Sequence, residues 1–278
     1  MAEVSLLRCV CGLVITSPRP APDELGDFYP PTYYSYVPKP LTLGRRMLGK
    51  LRAYKCGYPT KENLVGRTMW RTVAGIAGGM FLFYLPYRGD GKSLLEVGCG
   101  TGADLLWAKQ LGWQVSGLEL NETAVDVAKG RGLDVRCSTF EDATYADDAF
   151  DCITMSQVLE HLYSPKLALH KCHRLLRRGG LLLVAVPKFD SWTQHALGNY
   201  WHNLQFPIHL YHFDQSVLKR MVEDAGFKVL EVRLNFRLLS LFYALRTMRQ
   251  FRLLDRVFTR PHGTLSDVML IVAEKQNG

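Results

Sequence analysis

Between residues 93 and 187 apolar and polar positions fall into blocks of two kinds. Short apolar runs, SLLEVG (93–98), WQVSGLEL (113–120), LDVRC (133–137), FDCITMS (150–156) and GLLLVAVP (180–187), have the length and composition of buried strands. Between them ADLLWAKQLG (103–112), NETAVDVAKGRG (121–132) and PKLALHKCHRLLRR (165–178) predict helices, the second opened by Asn121 as N-cap and closed at glycine. DQSVLKRMVEDAG (214–226) is a further N-capped amphipathic helix, followed by strands FKVLEVRL (227–234) and SDVMLIVAE (266–274). Strands alternating with helices predict an α/β fold with a parallel sheet covered on both faces.

The flanks break this rhythm. Residues 1–40 carry prolines at 18, 20, 22, 30, 31, 38 and 40 and tyrosines at 29, 33, 34 and 36. Proline suppresses helix and central strand alike, so this stretch is expected to be an extended arm, a lid or small cap. Residues 41–92 read as a helical lead-in ending in the turn YRGDGK (87–92). The core domain then spans 93–278, with an insertion at 235–263 expected to be helical. There is no internal repeat.

Composition adds bounds. With 47% hydrophobic and 22% charged residues over 278 positions, the chain reads as a soluble globular protein able to bury a substantial core. Its most apolar segment, VAGIAGGMFLFYL (73–85), is too short to cross a bilayer, and no transmembrane helix is expected. Seven cysteines, an odd number without a leader-like start, point to a reducing cytoplasm rather than a disulfide framework. The net charge of +8 concentrates late, at Arg233, Arg237, Arg246, Arg249, Arg252, Arg256 and Arg260. This stretch is amphipathic: it either covers core or, through 235–260, meets an anionic membrane or a phosphorylated substrate.

The candidate chemistry sits at SLLEVGCGTG (93–102), a strand that ends in three close glycines before a helix. Such a turn offers bare backbone amides and a helix N-terminus to a ligand. Gly98, Gly100 and Ala103 satisfy the spacing of a nicotinamide-dinucleotide turn. Glu96 argues otherwise, because a carboxylate there suits a cationic amino group and repels a pyrophosphate. Glu119, ending the next strand, is placed to accept both ribose hydroxyls of either ligand.

On LLEVGCGTG, FD, LEHL, LLRRGG, HLYHF and AGF, in that order over about residues 92–232, the chain resembles class I S-adenosylmethionine-dependent methyltransferases. The resemblance implies a Rossmann-like seven-stranded sheet with an antiparallel last strand, helices on both faces, and S-adenosyl-L-methionine as cofactor. It implies that Glu96, Gly98, Gly100 and Gly102 hold the methionine end and Glu119 the ribose. Phe140 and Glu141 would lie against the adenine, and Ser156 and Gln157 would approach the sulfonium. Thr139 stands where many relatives carry Asp.

A sulfonium methyl is already activated, so alignment and water exclusion are the main needs, with a base adding rate for a hydroxyl acceptor. His161, His209 and His212 fall at the carboxyl edge of the expected sheet and are the candidate catalytic bases. Gln157, Glu160 and His161 resemble the Glu-x-x-Glu-His metal site of ubiquinone-pathway O-methyltransferases and small-RNA 2′-hydroxyl methyltransferases. Gln157, a neutral amide in the first ligand position, is a poorer ligand, and no metal is expected. Glu160 then either orients His161 or caps the next helix.

The N-terminal arm resembles that of a subgroup whose arm carries zinc-ribbon Cys-x-x-Cys pairs. Only Cys9 and Cys11 stand here, one residue too close, so no zinc is expected. Tyr29, Tyr33 and Tyr34 either fold over the site as a lid or pack on the sheet's flank. Cys99, Cys137 and Cys152 are expected to be small buried apolar residues.

The function expected from all this is S-adenosylmethionine-dependent O-methylation of a small-molecule, glycan- or lipid-linked hydroxyl, with peripheral membrane contact conceivable and nucleic acid not expected. The alternatives are an RNA methyltransferase, a catalytically silent cofactor-binding scaffold and a nicotinamide dehydrogenase.

Overall fold

The computed structural model describes residues 4–29, 36, 43–59, 66, 68–69, 72, 84–89, 91–235 and 267–276. Its main sheet has seven strands: β3 (Ser93–Val97), β4 (Gln114–Glu119), β5 (Asp134–Cys137), β6 (Phe150–Ser156), β7 (Leu176–Pro187), β9 (Phe227–Asn235) and β10 (Val268–Lys275). A smaller sheet is made of β1 (Ser5–Arg8), β2 (Val14–Ser17) and β8 (Tyr211–His212). The helices are α1 (Leu43–Lys55), α2 (Ala103–Gln110), α3 (Glu122–Gly130), α4 (Pro165–Leu175), α5 (Trp192–Leu197) and α6 (Gln215–Asp224).

The seven strands run in the order β5-β4-β3-β6-β7-β10-β9. β3 pairs in parallel with β4 on one side and β6 on the other, and β4 in parallel with β5. β9 and β10 are antiparallel, with a register shift between Val272 and Ala273. This is the Rossmann-like sheet that the blocks of apolar sequence imply. Strands β3, β6 and β10 are buried over nearly their whole length, and β7 from Gly180 onward. Strands covered on both faces read as continuous rather than alternating apolar runs. Fully buried Leu94, Leu95, Ile153 and Met155 anchor this core, each worth about 1.5–3 kcal/mol of burial.

The chain divides into two compact units. One comprises Pro31–Ser156 and Arg174–Leu183, the other Met1–Pro30, Gln157–His173 and Val184–Gly278. In the first, α2 and α3 flank the parallel strands, and Trp113 donates its indole N–H to the Tyr58 hydroxyl at 2.7 Å. In the second, Val14, Phe189, Ala196, Leu197, Trp201 and Leu204 form a core cluster with Leu6 and Trp192 packed against it.

Several expectations are corrected. Within the stretch expected to be an extended arm, a lid or small cap, residues before the first proline form the β1–β2 hairpin, whose second strand pairs with β8. The helix expected at 165–178 stops at Leu175, and Leu176–Arg178 open β7 instead. Tertiary pairing overrides helix propensity there: Leu176 is fully buried and Arg177 reaches the Asp151 carboxylate at 2.6 Å. Cys137 is exposed rather than buried, since it ends the edge strand β5. Cys99 and Cys152 are buried as expected. The insertion at 235–263 with its arginines, and Tyr33 and Tyr34, lie outside the described residues apart from the end of β9. Among the described residues no helix is long and apolar enough to cross a membrane.

Candidate active site

The glycine turn lies in the unit built around Pro31–Ser156. Gly98, Gly100 and Gly102 all take positive φ, at 69°, 53° and 75°, backbone that side-chain-bearing residues resist. The amides of Gly98 and Cys99 both donate to the Leu118 carbonyl, and that of Gly102 to Cys99. Gly102 also caps α2 with no side chain of its own, and a Cβ there would run into Leu133. The turn thus lies flat on β4 with nothing projecting from its outer side at these three positions.

Glu96, on β3 just before the turn, is buried, and its Oε2 has no hydrogen-bond partner. Burial, then the nearby Asp104 and Glu119 carboxylates, push its carboxyl well above the ordinary Glu range. Two further carboxylates, Asp104 and Glu119, near one bare carboxyl oxygen make a place that gains from a cation. An adenosyl compound with a cationic methionine end fits this pattern, and a pyrophosphate does not.

Glu119, at the end of β4, is also buried. Its Oε2 accepts from the Gly100 amide at 2.8 Å, and its Oε1 from the amides of Leu120 and Asn121 at 2.8 and 3.0 Å. The carboxylate is therefore fixed across the glycine turn and the β4–α3 loop, with lone pairs left for hydroxyl donors. Tyr36 was absent from the expected site. Its phenol is pushed up to about 12 by burial and by the Glu119 carboxylate. No periodicity in a proline-rich arm could have singled it out.

Of the two residues expected against the adenine, Phe140 is buried and Glu141 exposed. Thr139 donates to Asp142 Oδ2 at 2.6 Å and accepts from the Asp142 amide, so the carboxylate missing at 139 stands three residues later. Ser156 is partly buried at the end of β6. The ends of β4, β3 and β6, adjacent parallel strands, thus bring Glu119, the glycine turn and Ser156 to one carboxyl edge, the usual ligand edge of open α/β sheets.

Gln157 and the three histidines belong to the other unit. Gln157 holds φ at 59°, uncommon for a residue with a side chain, and both its amide N–H and its Nε2 donate to the Ala185 carbonyl. His161 Nδ1 lies 2.8 Å from the Ile208 carbonyl and 3.0 Å from the Tyr29 hydroxyl. A carbonyl only accepts, so Nδ1 carries the proton and Nε2 keeps its lone pair. The same reasoning holds for His209, whose Nδ1 lies 2.7 Å from the Asn203 carbonyl. The two rings meet edge to face, with centroids 4.7 Å apart.

His212 differs. The Thr16 hydroxyl spends its one proton on the His209 carbonyl at 2.7 Å, so it accepts from His212 Nε2 at 3.0 Å. His212 is thereby fixed in the opposite tautomer. Burial lowers His161 and His212 to about 4 and His209 well below its ordinary value, so all three imidazoles are neutral at neutral pH.

Between them lies a group that the sequence reading discounted. Glu160 is 0% exposed, and neither carboxyl oxygen has a partner. Burial pushes it up to about 8. One ligand atom each from Glu160, His161 and His209 lie within 4.8 Å of one another. Two neutral imidazoles with Nε2 lone pairs, each Nδ1–H held by a backbone carbonyl, and one bare carboxyl that a cation would ionise suit a divalent cation. The weak first ligand Gln157 had argued against such a site, but His209, 48 residues beyond His161, supplies a third donor that local spacing cannot show.

Residues 69–232 match the model of a family described as a methyltransferase domain. The chain is 29% identical over 174 residues to a "Probable S-adenosylmethionine-dependent methyltransferase" of Mycolicibacterium smegmatis, which covers 57% of this chain and 64% of that protein. It is 34% identical over 115 residues to a ubiquinone biosynthesis O-methyltransferase of Mesorhizobium japonicum, covering 39% of this chain and 45% of that one. The chain thus spans less than two thirds of the length of these relatives. Among solved structures, an S-adenosylmethionine dependent methyltransferase from Mesorhizobium loti aligns with a TM-score of 0.52 at 15% identity, covering 77% of this chain and all of that one. The SpnF cyclase aligns with a TM-score of 0.51 at 21% identity, covering 84% and 93%. Likeness at these identities speaks for the fold, and a cyclase among the matches shows that the fold alone does not fix the reaction.

Proposed function

Because the chain belongs to the class I S-adenosylmethionine-dependent methyltransferase family, we propose that it transfers a methyl group from S-adenosyl-L-methionine to a hydroxyl of a small-molecule, glycan- or lipid-linked acceptor in the cytoplasm. The observation that carries this reading is Glu96, a buried carboxyl with a bare oxygen beside a turn of three positive-φ glycines. When bound, the cofactor supplies a methyl already activated on a sulfonium centre.

In this reading Glu96, Gly98, Gly100 and Gly102 hold the methionine end and Glu119 accepts from the ribose hydroxyls. Phe140 and Glu141 border the adenine, and Ser156 and Gln157 the sulfonium. One of His161 and His209, each with an Nε2 lone pair, takes the acceptor's single proton, while His212, its Nε2–H given to Thr16, positions rather than reacts.

A second reading shares the fold and the cofactor. The bare oxygens of Glu160 favour a divalent cation held by Glu160, His161 and His209. Such an ion would lower the pKa of a bound hydroxyl, which would suit a catechol-like acceptor or an RNA 2′-hydroxyl.

The test is incubation with methyl-labelled cofactor and a hydroxylated acceptor pool, followed by mass spectrometry of the product. Label on oxygen supports the proposal; label on nitrogen or carbon, or no turnover, overturns it. Calorimetric titration with Mn²⁺ separates the two readings, since heat that disappears in Glu160→Gln belongs only to the second.

A further inference from the structure

The β1–β2 hairpin ends in a tight turn that the proposed chemistry does not use. The Gly12 amide donates to the Cys9 carbonyl and the Cys9 amide to the Leu13 carbonyl, both at 2.8 Å. Gly12 takes φ at 91°, and a Cβ there would sit 3.0 Å from Val217 on α6, so the turn is fixed in shape and seated. Across it the Cys11 amide points at Cys9 Sγ at 3.5 Å. Val10 between the two cysteines is fully exposed, Cys11 is exposed and Cys9 partly so.

The surroundings are cationic. Arg220 on α6 donates to the Cys11 carbonyl. Arg8 donates to the Gly12 carbonyl at 3.0 Å and pairs with Asp214 at 3.5 Å. Lys166 on α4 adds a favourable charge. A hydrogen bond from the Leu13 backbone, then one from the Cys9 thiol, draw the Cys11 thiol below its ordinary value. The other cysteines contrast. Cys99, Cys152 and Cys172 are buried, and burial pushes their thiols up. Cys56 is buried too, and the exposed Cys137 gives its thiol to the Leu120 carbonyl at 3.4 Å. Reactive thiols are partly exposed, electropositively placed and set beside a resolving partner; Cys11 meets all three conditions.

We propose that Cys9 and Cys11 form a thiol–disulfide exchange site, with a low-molecular-weight disulfide as its oxidising substrate. The Cys11 thiolate attacks one sulfur of that disulfide, whose S–S bond breaks and releases one thiolate. Cys9, its proton lost to water, attacks Cys11 Sγ in the mixed disulfide, and the second thiolate leaves. The two cysteines lose two electrons and two protons in forming the Cys9–Cys11 bond. The small disulfide is reduced to two thiols.

The test treats the native protein with an aromatic disulfide whose released thiolate is coloured. The expected result is a fast phase that releases both leaving thiolates, leaves no adduct, and joins Cys9 to Cys11 in the peptide mass map. Cys9→Ser is expected to release one thiolate and keep a stable adduct on Cys11. Cys11→Ser is expected to slow the fastest remaining phase about tenfold or more, to the rate of Cys137. A lasting adduct on Cys11 in the native protein, or a Cys137 that reacts as fast as Cys11, overturns the proposal.

Discussion

At the scale of single residues, Glu96 carries an electrostatic cost that its ligand relieves. Its carboxyl is raised by burial and by Asp104 and Glu119. A carboxyl raised in the folded state contributes stability that is complete below the unfolded value of about 4.3 and lost as pH climbs towards the folded value. Glu96→Gln removes that loss: the ligand-free variant is expected to melt higher than the native protein at neutral pH, by differential scanning calorimetry. The same change removes a charged partner of the cofactor, and S-adenosylhomocysteine is expected to bind about tenfold or more weakly. Glu119 is of the opposite kind. It satisfies three backbone amides, so Glu119→Ala is expected to cost about 1–3 kcal/mol of stability besides weakening cofactor binding. Denaturant melts with and without ligand check both halves. An unchanged midpoint in the ligand-free variant would mean that the amides find water instead.

At the scale of elements, the glycine turn is a packing device as much as a binding one. Gly102 lets α2 start against α3 and the β5 side of the sheet, where a Cβ would strike Leu133 and lie 3.3 Å from Ala128 Cβ. Gly102→Ala, at φ of 75°, is expected to destabilise by about 1–3 kcal/mol and to lower cofactor affinity with it, as thermal shift would show. The elements around this turn were legible because each is specified locally: an apolar run, an Asn121 cap, a glycine stop; α6, with its Asp214 cap, was legible for the same reason. What was not legible depends on distant partners. β1 and β2 are four residues each and exist through pairing with each other and, for β2, with β8, nearly 200 positions away. α5 and β8 fall in a stretch with no periodicity, held by Ser191 capping Gln194 and by the β2 pairing. Glu160 was readable as a residue type but not as an unpartnered one. The same is true of Tyr36, whose nearness to Glu119 arises from chain folding alone.

At the scale of the molecule, the hairpin bears on the histidine segment of the proposed chemistry. Thr16 on β2 is fully buried; its hydroxyl joins the His209 carbonyl to His212, and its amide donates to the Leu210 carbonyl. Val14 and Ile15 form the ladder with His212 and Tyr211. The histidine segment is therefore ordered from the far N-terminus, whereas Glu96, the glycine turn and Glu119 draw their partners from Pro31–Ser156. Thr16→Val keeps the shape of the side chain but strips the hydroxyl, leaving a buried carbonyl and a buried imidazole N–H unpaired at about 1–3 kcal/mol. The loss falls on the His209–His212 segment, to which no cofactor contact is assigned, so affinity for S-adenosylhomocysteine is expected to stay within about twofold while turnover drops about tenfold or more. Calorimetric binding and initial rates on the same preparation check it. Equal losses in affinity and turnover would mean that the hairpin supports the cofactor end as well.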